Sequence, residues 1–251
     1  MSRLSGRNVI VTGAAQGIGA AYAKSIAVEC ATVTVCDILP PDATVAAIRE
    51  AGHEAIGVVC DITDSEAVAR MVGAAEEAFG CVHGLVNNAA LFASLQKQPF
   101  EEITSAEFDR VMTVNVRGTF ECIKAVAPGM RRQGYGKIVN IASGTVFKGA
   151  PNMLAYIASK GAVVAITRSV AREVGRDGVR INCLAPGLTM SEGIANNEAF
   201  VKRVSSTVAS RCLQREEFPE DLTGSVIYLL SADSDFMTGQ TIVVDGGAVM
   251  H

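Results

Sequence analysis

Asn8 to Gly19, NVIVTGAAQGIG, opens with β-branched and apolar residues, halts at a glycine and resumes with the small and apolar spacing of a helix. A strand that turns straight into a helix is the first half of a βαβ unit, so this stretch points to a parallel sheet. Gly13 permits the tight turn, whereas Gly17 and Gly19 let a pyrophosphate approach the backbone and let the helix approach the sheet. The spacing GxxxGxG is looser than the common dinucleotide fingerprint, and a plain glycine turn is the competing reading of these residues alone.

Outward from that unit the alternation continues. Strands are predicted at Asn8–Val11, Thr32–Cys36, Ala55–Val59, Gly84–Val86, Lys137–Ile141, Arg180–Leu184 and Thr241–Val244. Helical patterns lie between them, among them Ile18–Glu29, Glu66–Phe79, Ser105–Val114, Gly118–Arg131, Tyr156–Val174 and Pro219–Leu230. The chain therefore reads as α/β, a Rossmann-like doubly wound parallel sheet of seven strands with helices on both faces. Right-handed crossovers order the first six strands 3-2-1-4-5-6 and place a ligand crevice beyond their carboxyl ends. The 251 residues, 49% of them hydrophobic, suit one cofactor-binding and catalytic domain spanning 1–251. Residues 188–214, LTMSEGIANNEAFVKRVSSTVASRCLQ, break the rhythm and read as a substrate lid, with a plain surface helix as the alternative.

Composition removes several function classes. The formal net charge of -4 arises from 22 basic and 26 acidic residues scattered along the chain, which leaves no basic track for nucleic acid. Cys30, Cys36, Cys60, Cys81, Cys122, Cys183 and Cys212 are far apart and mostly in apolar runs, so they read as thiols of a reducing compartment. His53, His83 and His251 lack metal-motif spacing, and no metal is expected. The first strand begins almost at once, without a signal-peptide pattern, and no apolar run reaches membrane-spanning length. A cytoplasmic protein without membrane partners is the expectation.

At the second strand's end stands Asp37, whose carboxylate can accept from both ribose hydroxyls and would repel a 2'-phosphate. NAD is thus favoured over NADP, and neither Gln16 nor Ile38 brings a cation that would reverse the choice. Asp61 reads either as a partner of the adenine edge or as the cap of the following turn. Ile18 and Ile62 belong to the same cofactor set. In VNNAA, Asn87 and Asn88 can hold the loop while the small Ala89 and Ala90 leave room for the adenosine-ribose portion.

The reacting end is NIASGTVFKGAPNMLAYIASKGAV. Ser143 follows a strand, Tyr156 comes thirteen residues later, and Lys160 lies four beyond it on the same helical face. Oxidising an alcohol by hydride loss requires a base, and a free phenol with a pKa of about 10 is a poor one at neutrality. A nearby ammonium and a positive nicotinamide ring would favour tyrosinate; lowering the pKa by roughly two to three units corresponds to about 3 to 4 kcal/mol. Ser143 would donate to the substrate oxygen, and Lys160 would reach the nicotinamide ribose. Asn115 in MTVNVRG can hold a helix irregularity and a water that links the lysine to solvent. Pro186 and Gly187 set a turn after which Thr189 meets the nicotinamide carboxamide, or caps the chain locally.

Taken together, TGAAQGIG at Thr12–Gly19, Asp61, NNAA at Asn87–Ala90, Asn115, Ser143, YIASK at Tyr156–Lys160, PG at Pro186–Gly187 and the terminal VVDGG closely resemble the short-chain dehydrogenase/reductase family, in its group of chains of this length. The resemblance covers nearly the whole chain. It implies that Ser143, Tyr156 and Lys160 form a catalytic trio with Asn115 completing a proton relay, and it suggests a homotetramer. Ala90 departs from the family's frequent glycine at that place.

The residues expected around the reacting carbon are Leu91, Phe92, Thr145, Val146, Phe147, Met153, Leu188 and Met190, with Ile194 and Phe200 from the lid. They are mainly apolar, which favours a small hydrophobic alcohol or ketone, alicyclic, terpenoid or aryl-alkyl, over a phosphorylated sugar or acyl thioester. A lid can bring in Lys202, Arg203, Arg211 or Arg215, and Lys148 in the neighbouring loop can meet a substrate carboxylate or face water. A basic entrance or several polar groups there would favour instead a 3-oxoacyl-thioester or sugar reductase or dehydrogenase. A non-catalytic dinucleotide-sensing or scaffold protein is the reading from another class.

Overall fold

The computed structural model describes residues 2–195 and 198–250. Long β-branched runs bury both of their faces, which is the condition for parallel strands: β1 (Asn8–Thr12) and β5 (Gly136–Ile141) are buried at every position. With β2 (Thr32–Asp37), β3 (Ala55–Val59), β4 (Gly84–Asn87), β6 (Val179–Pro186) and β7 (Thr241–Val244) they form one seven-stranded sheet in the order β3-β2-β1-β4-β5-β6-β7. All its pairings are parallel. The order expected for the first six strands is the one observed, and β7 extends the sheet beyond β6 with Cys183 opposite Thr241.

Along β1 and β2 the side chains alternate between two layers. Val9, Val11, Val33 and Val35 pack with Tyr22 and Ile26 of α1 (Gly17–Val28), Ile48 of α2 (Asp42–Glu50) and Leu222 of the carboxyl-terminal helix. Ile10 and Cys36 pack on the other face with Met71 of α3 (Ser65–Phe79) and the helices that follow β4. Helix α2 buries only a narrow stripe, Thr44, Val45 and Ile48. It nevertheless supports the glycine turn, because the Thr44 hydroxyl donates to the Ala15 carbonyl at 2.9 Å.

A capping box starts α4 (Ser105–Met112): the Glu107 N–H donates to Thr104 Oγ1 and the Thr104 N–H to Glu107 Oε2. Thr113–Gly118 then widens into a π-helical turn before α5 (Thr119–Gln133), which is the irregularity expected around Asn115. After β5 come the single turn α6 (Thr145–Lys148) and the long α7 (Leu154–Val174). By length and composition the segment Leu154–Asp177 would suffice to cross a membrane, yet its apolar side is spent on the sheet, with Val163, Val164 and Ala171 buried. Between β6 and α10 (Glu220–Leu230) lie α8 (Glu192–Ala195) and α9 (Glu198–Ala209).

Candidate active site

A cavity of about 890 Å³ runs across the carboxyl ends of the strands, bordered by Gly13, Asp37, Cys60, Asn88, Ser143 and Gly187. All the cofactor residues expected from the sequence line it, from the glycine turn to Thr189. The turn is built for close approach. Gly13 has a φ of +64°, and a Cβ there would lie 2.6 Å from the Ala89 Cα; a Cβ on Gly19 would lie 2.1 Å from the Gly13 carbonyl oxygen. Asn88 locks the arrangement, its side-chain amide donating to the carbonyls of Thr12 (3.1 Å) and Gly13 (2.8 Å).

Asp37 is tethered at the mouth of this turn. Its Oδ2 accepts from the Ala15 N–H at 2.9 Å and its Oδ1 from the Leu39 N–H at 3.0 Å. The carboxylate therefore holds a fixed position where the second strand meets the cavity. Asp61 caps its own turn, with Oδ1 accepting from the Thr63 N–H and hydroxyl, both at 2.8 Å. Glycine cradle, fixed carboxylate and an elongated cleft fit a dinucleotide laid from Asp37 to Thr189.

At the other end Tyr156 and Lys160 sit in successive turns of α7, both buried. The Phe92 ring packs on Tyr156 with centroids 4.7 Å apart, and the Lys160 ammonium stands 5.8 Å from the Tyr156 ring centroid. Lys160 spends a proton on the Ile141 carbonyl at 2.7 Å. The Ser143 Oγ accepts from the Thr145 hydroxyl (2.9 Å) and, more weakly, from its N–H (3.3 Å), which leaves the serine's own proton to donate to the Tyr156 hydroxyl oxygen.

The electrostatics correct one expectation. Burial pushes the Tyr156 phenol up to about 12, against a lowering interaction with Ser143, and the lysine does not bring it down. Burial likewise pushes Lys160 down to about 8. Burial shifts both groups toward their neutral forms, yet a lysine at about 8 still carries its proton at neutral pH. A lysine in the unfolded chain keeps its proton to about 10.5. Between the folded and unfolded values the unfolded state binds more protons, so the Lys160 contribution to stability is lost below about pH 8 and rises toward pH 10.5, by about 3 kcal/mol. Comparing chemical unfolding of the wild type with Lys160→Met should show the difference moving toward the wild type between neutral and strongly alkaline pH; a constant difference would contradict a lysine titrating near 8.

Asn115 is fully buried and does not border the cavity. Its Oδ1 accepts from the Leu91 N–H (2.8 Å), and its amide donates to the Leu91 carbonyl (3.2 Å) and to Ser159 Oγ (3.0 Å). Both amide protons are thus used to tie the post-β4 loop to α7.

Of the substrate residues expected, Phe92, Ser143, Thr145, Met153, Leu188 and also Leu91 and Ile194 face the cavity, whereas Phe147 and Met190 do not. Phe147 turns beneath α6 against Ala142, Val163 and Val164, and Met190 is held by its N–H to the Glu217 carbonyl at 2.7 Å. The side chains of Phe200, Lys202 and Arg203, and residue His251, lie outside the described residues. Arg211 borders the cavity but is buried and paired, with Nη2 3.1 Å from Glu217 Oε2 and 2.9 Å from the Leu188 carbonyl. Arg215 instead pairs with Asp221.

Sequence reasoning missed two features. Lys97 and Arg110 border the cavity beside the anticipated Lys148, and both also line a smaller chamber of about 260 Å³ that shares Met153 and Tyr156. Glu217, buried, accepts from the Thr189 hydroxyl at 2.7 Å. Burial raises the Glu217 carboxyl, with Thr189 and Arg211 pulling it back down. No spacing signal joins these positions; only the fold does.

Residues 13–249 match the family model described as enoyl-(acyl carrier protein) reductase. The chain is 37% identical over 247 residues to the short-chain reductase protein NovJ of Streptomyces niveus, across 95% of this chain and 92% of that one. It is 36% identical to galactitol 2-dehydrogenase of Agrobacterium fabrum, across 98% of each. The crystal structure of levodione reductase superposes with a TM-score of 0.91 at 33% identity, covering 97% of this chain and 98% of that one.

Proposed function

We propose, for a chain that belongs to the short-chain dehydrogenase/reductase family of NAD(P)-binding oxidoreductases, the NAD-dependent interconversion of a secondary alcohol and its ketone with Tyr156 as general acid and base. The observation that carries it is the buried Tyr156 hydroxyl, hydrogen-bonded to Ser143 and with Lys160 behind, at one end of a cleft whose other end is Asp37. When bound, the nicotinamide supplies the hydride acceptor or donor and, oxidised, a positive charge. The residues do the rest. Tyr156 moves the hydroxyl proton, Ser143 donates to the substrate oxygen, and Lys160 holds a positive charge near the phenol and meets the ribose. Asn115 is a positioning residue that fixes the loop carrying Leu91 and Phe92.

Leu91, Phe92, Met153, Leu188 and Ile194 give the reacting end apolar walls and support an alicyclic or aryl-alkyl substrate. A second reading, that the alcohol also carries an acidic group, is favoured by Lys97, Arg110 and Lys148 around the same space. Names among the relatives run from a sugar alcohol to a dione, consistent with a family that varies this end. The proposal also places residues 188–214 as a lid over a single domain, the seven unpaired thiols in the cytoplasm, and the exposed Phe120 and Leu154 in contacts of a homotetramer.

NADH formation with a panel of neutral and acidic secondary alcohols tests the reading. Turnover is expected with NAD well above NADP. Asp37→Ala should weaken NAD binding by about 10- to 100-fold, the cost of losing charge-assisted hydrogen bonds, without weakening NADP. Dinucleotide binding with no turnover across the panel would point to a sensor instead.

A further inference from the structure

Thr189 has one hydroxyl proton and two acceptors near it, Glu217 Oε1 at 2.7 Å and the Gly187 carbonyl at 3.4 Å. The short bond to a carboxylate prevails, since charge-assisted O–H···O⁻ contacts are shorter and roughly twice as strong as neutral ones. A carboxylate only accepts, so the hydroxyl cannot reverse its direction against this partner. Glu217 is itself held on several sides. Its Oε2 meets the Arg211 guanidinium at 3.1 Å, its backbone carbonyl takes the Met190 N–H, and the two ion-pair side chains are 2% and 6% exposed. A Cβ at Gly187 would lie 2.6 Å from Glu217 Oε2, so the carboxylate is packed directly under the turn that borders the cavity.

We infer that Glu217 sets the hydrogen-bonding polarity of Thr189, making it an acceptor-only group toward the nicotinamide carboxamide and thereby selecting the amide N–H₂ end over the carbonyl end. The inference rests on the dinucleotide reading given above. A carboxamide has one donor end and one acceptor end, and an unconstrained hydroxyl would greet either. With its proton committed to Glu217, Thr189 shows lone pairs alone. The carboxamide would then meet Thr189 through its N–H₂ end rather than its carbonyl end. Glu217 is thus a positioning residue acting through Thr189.

The test replaces that amide. In 3-acetylpyridine adenine dinucleotide a methyl stands in place of the N–H₂, so the analogue has an acceptor but no donor. Dissociation constants of NADH and of the reduced analogue would be measured by calorimetry for the wild type, Glu217→Gln and Thr189→Val. The wild type is expected to bind NADH about 10-fold more tightly than the analogue, because the Thr189 lone pair would otherwise face a methyl. In Glu217→Gln the new amide turns its carbonyl to Arg211 and its N–H₂ to Thr189, which releases the hydroxyl proton toward the cavity. The ratio should fall to within about 2-fold, chiefly because the analogue binds better. Thr189→Val should also collapse the ratio, but through weaker NADH binding, which locates the preference at Thr189; if Glu217→Gln does not fold, the wild-type ratio decides whether Thr189 only accepts. A purely structural role for Glu217 would weaken both ligands together and leave their ratio unchanged. An unchanged ratio in either variant, or a wild-type ratio near one, overturns the inference while leaving dinucleotide binding intact; failure of both ligands to bind the wild type overturns the dinucleotide reading and this inference together.

Discussion

Tyr156→Phe is expected to lower turnover by about 1000-fold while NADH affinity stays within about 2-fold of the wild type. The contrast follows from what the substitution removes. Phenylalanine keeps the ring, so the packing against Phe92 at 4.7 Å and the contact with the Lys160 ammonium survive. Only the hydroxyl is lost, and with it the proposed proton-transfer group. Single-turnover absorbance with saturating cofactor, paired with NADH titration, separates the two effects. Turnover near the wild-type rate would remove Tyr156 from the reaction.

Glu217→Ala should be the most damaging change to stability outside the sheet. Arg211 would keep its charge in a site where it is 2% exposed, and removing one partner from a buried ion pair costs about 3 to 5 kcal/mol. In a chain of this size that corresponds to a fall in the melting temperature of roughly 10 °C. Because the penalty comes from the orphaned guanidinium, Arg211→Met combined with Glu217→Leu should recover most of it, apolar side chains being able to replace such a pair. Scanning calorimetry of the two variants checks both statements. A drop of less than about 2 °C for Glu217→Ala would mean that water or a rearranged neighbour already serves Arg211.

The parts of this molecule that could be read from the chain are those encoded over short distances. Strand positions follow from β-branched runs because a parallel sheet buries both faces, and Tyr156 and Lys160 share a helical face because four residues make about one turn. The π-helical widening at Asn115 was legible for a similar reason, since a polar side chain stood inside an otherwise helical pattern. What escaped depends on packing. Phe147 looked cavity-facing by its place in the loop, but the single turn of α6 directs it under the helix. The phenol's acidity depends on solvent exclusion and on where the Lys160 protons go, neither of which spacing reveals. Thr189 and Glu217 are 28 residues apart and meet only because β6 ends beside the segment leading into α10.

In the middle of the sheet Asn87 and Asn140 face one another across β4 and β5, joined by a 2.8 Å bond, and Asn140 reaches on to Thr167. Strands covered on both sides lack the in-and-out polarity code that tells a half-wet sheet how to align, and sliding valine past isoleucine costs little. Two amides buried among aliphatics work as a key and its notch. If either strand shifts by one residue, the bond between the two amides is lost and Asn87 forfeits its side-chain partner. The pair therefore serves as an alignment mark that rejects mis-threaded sheets during folding, and the strand ends that frame the cleft are set in step by it.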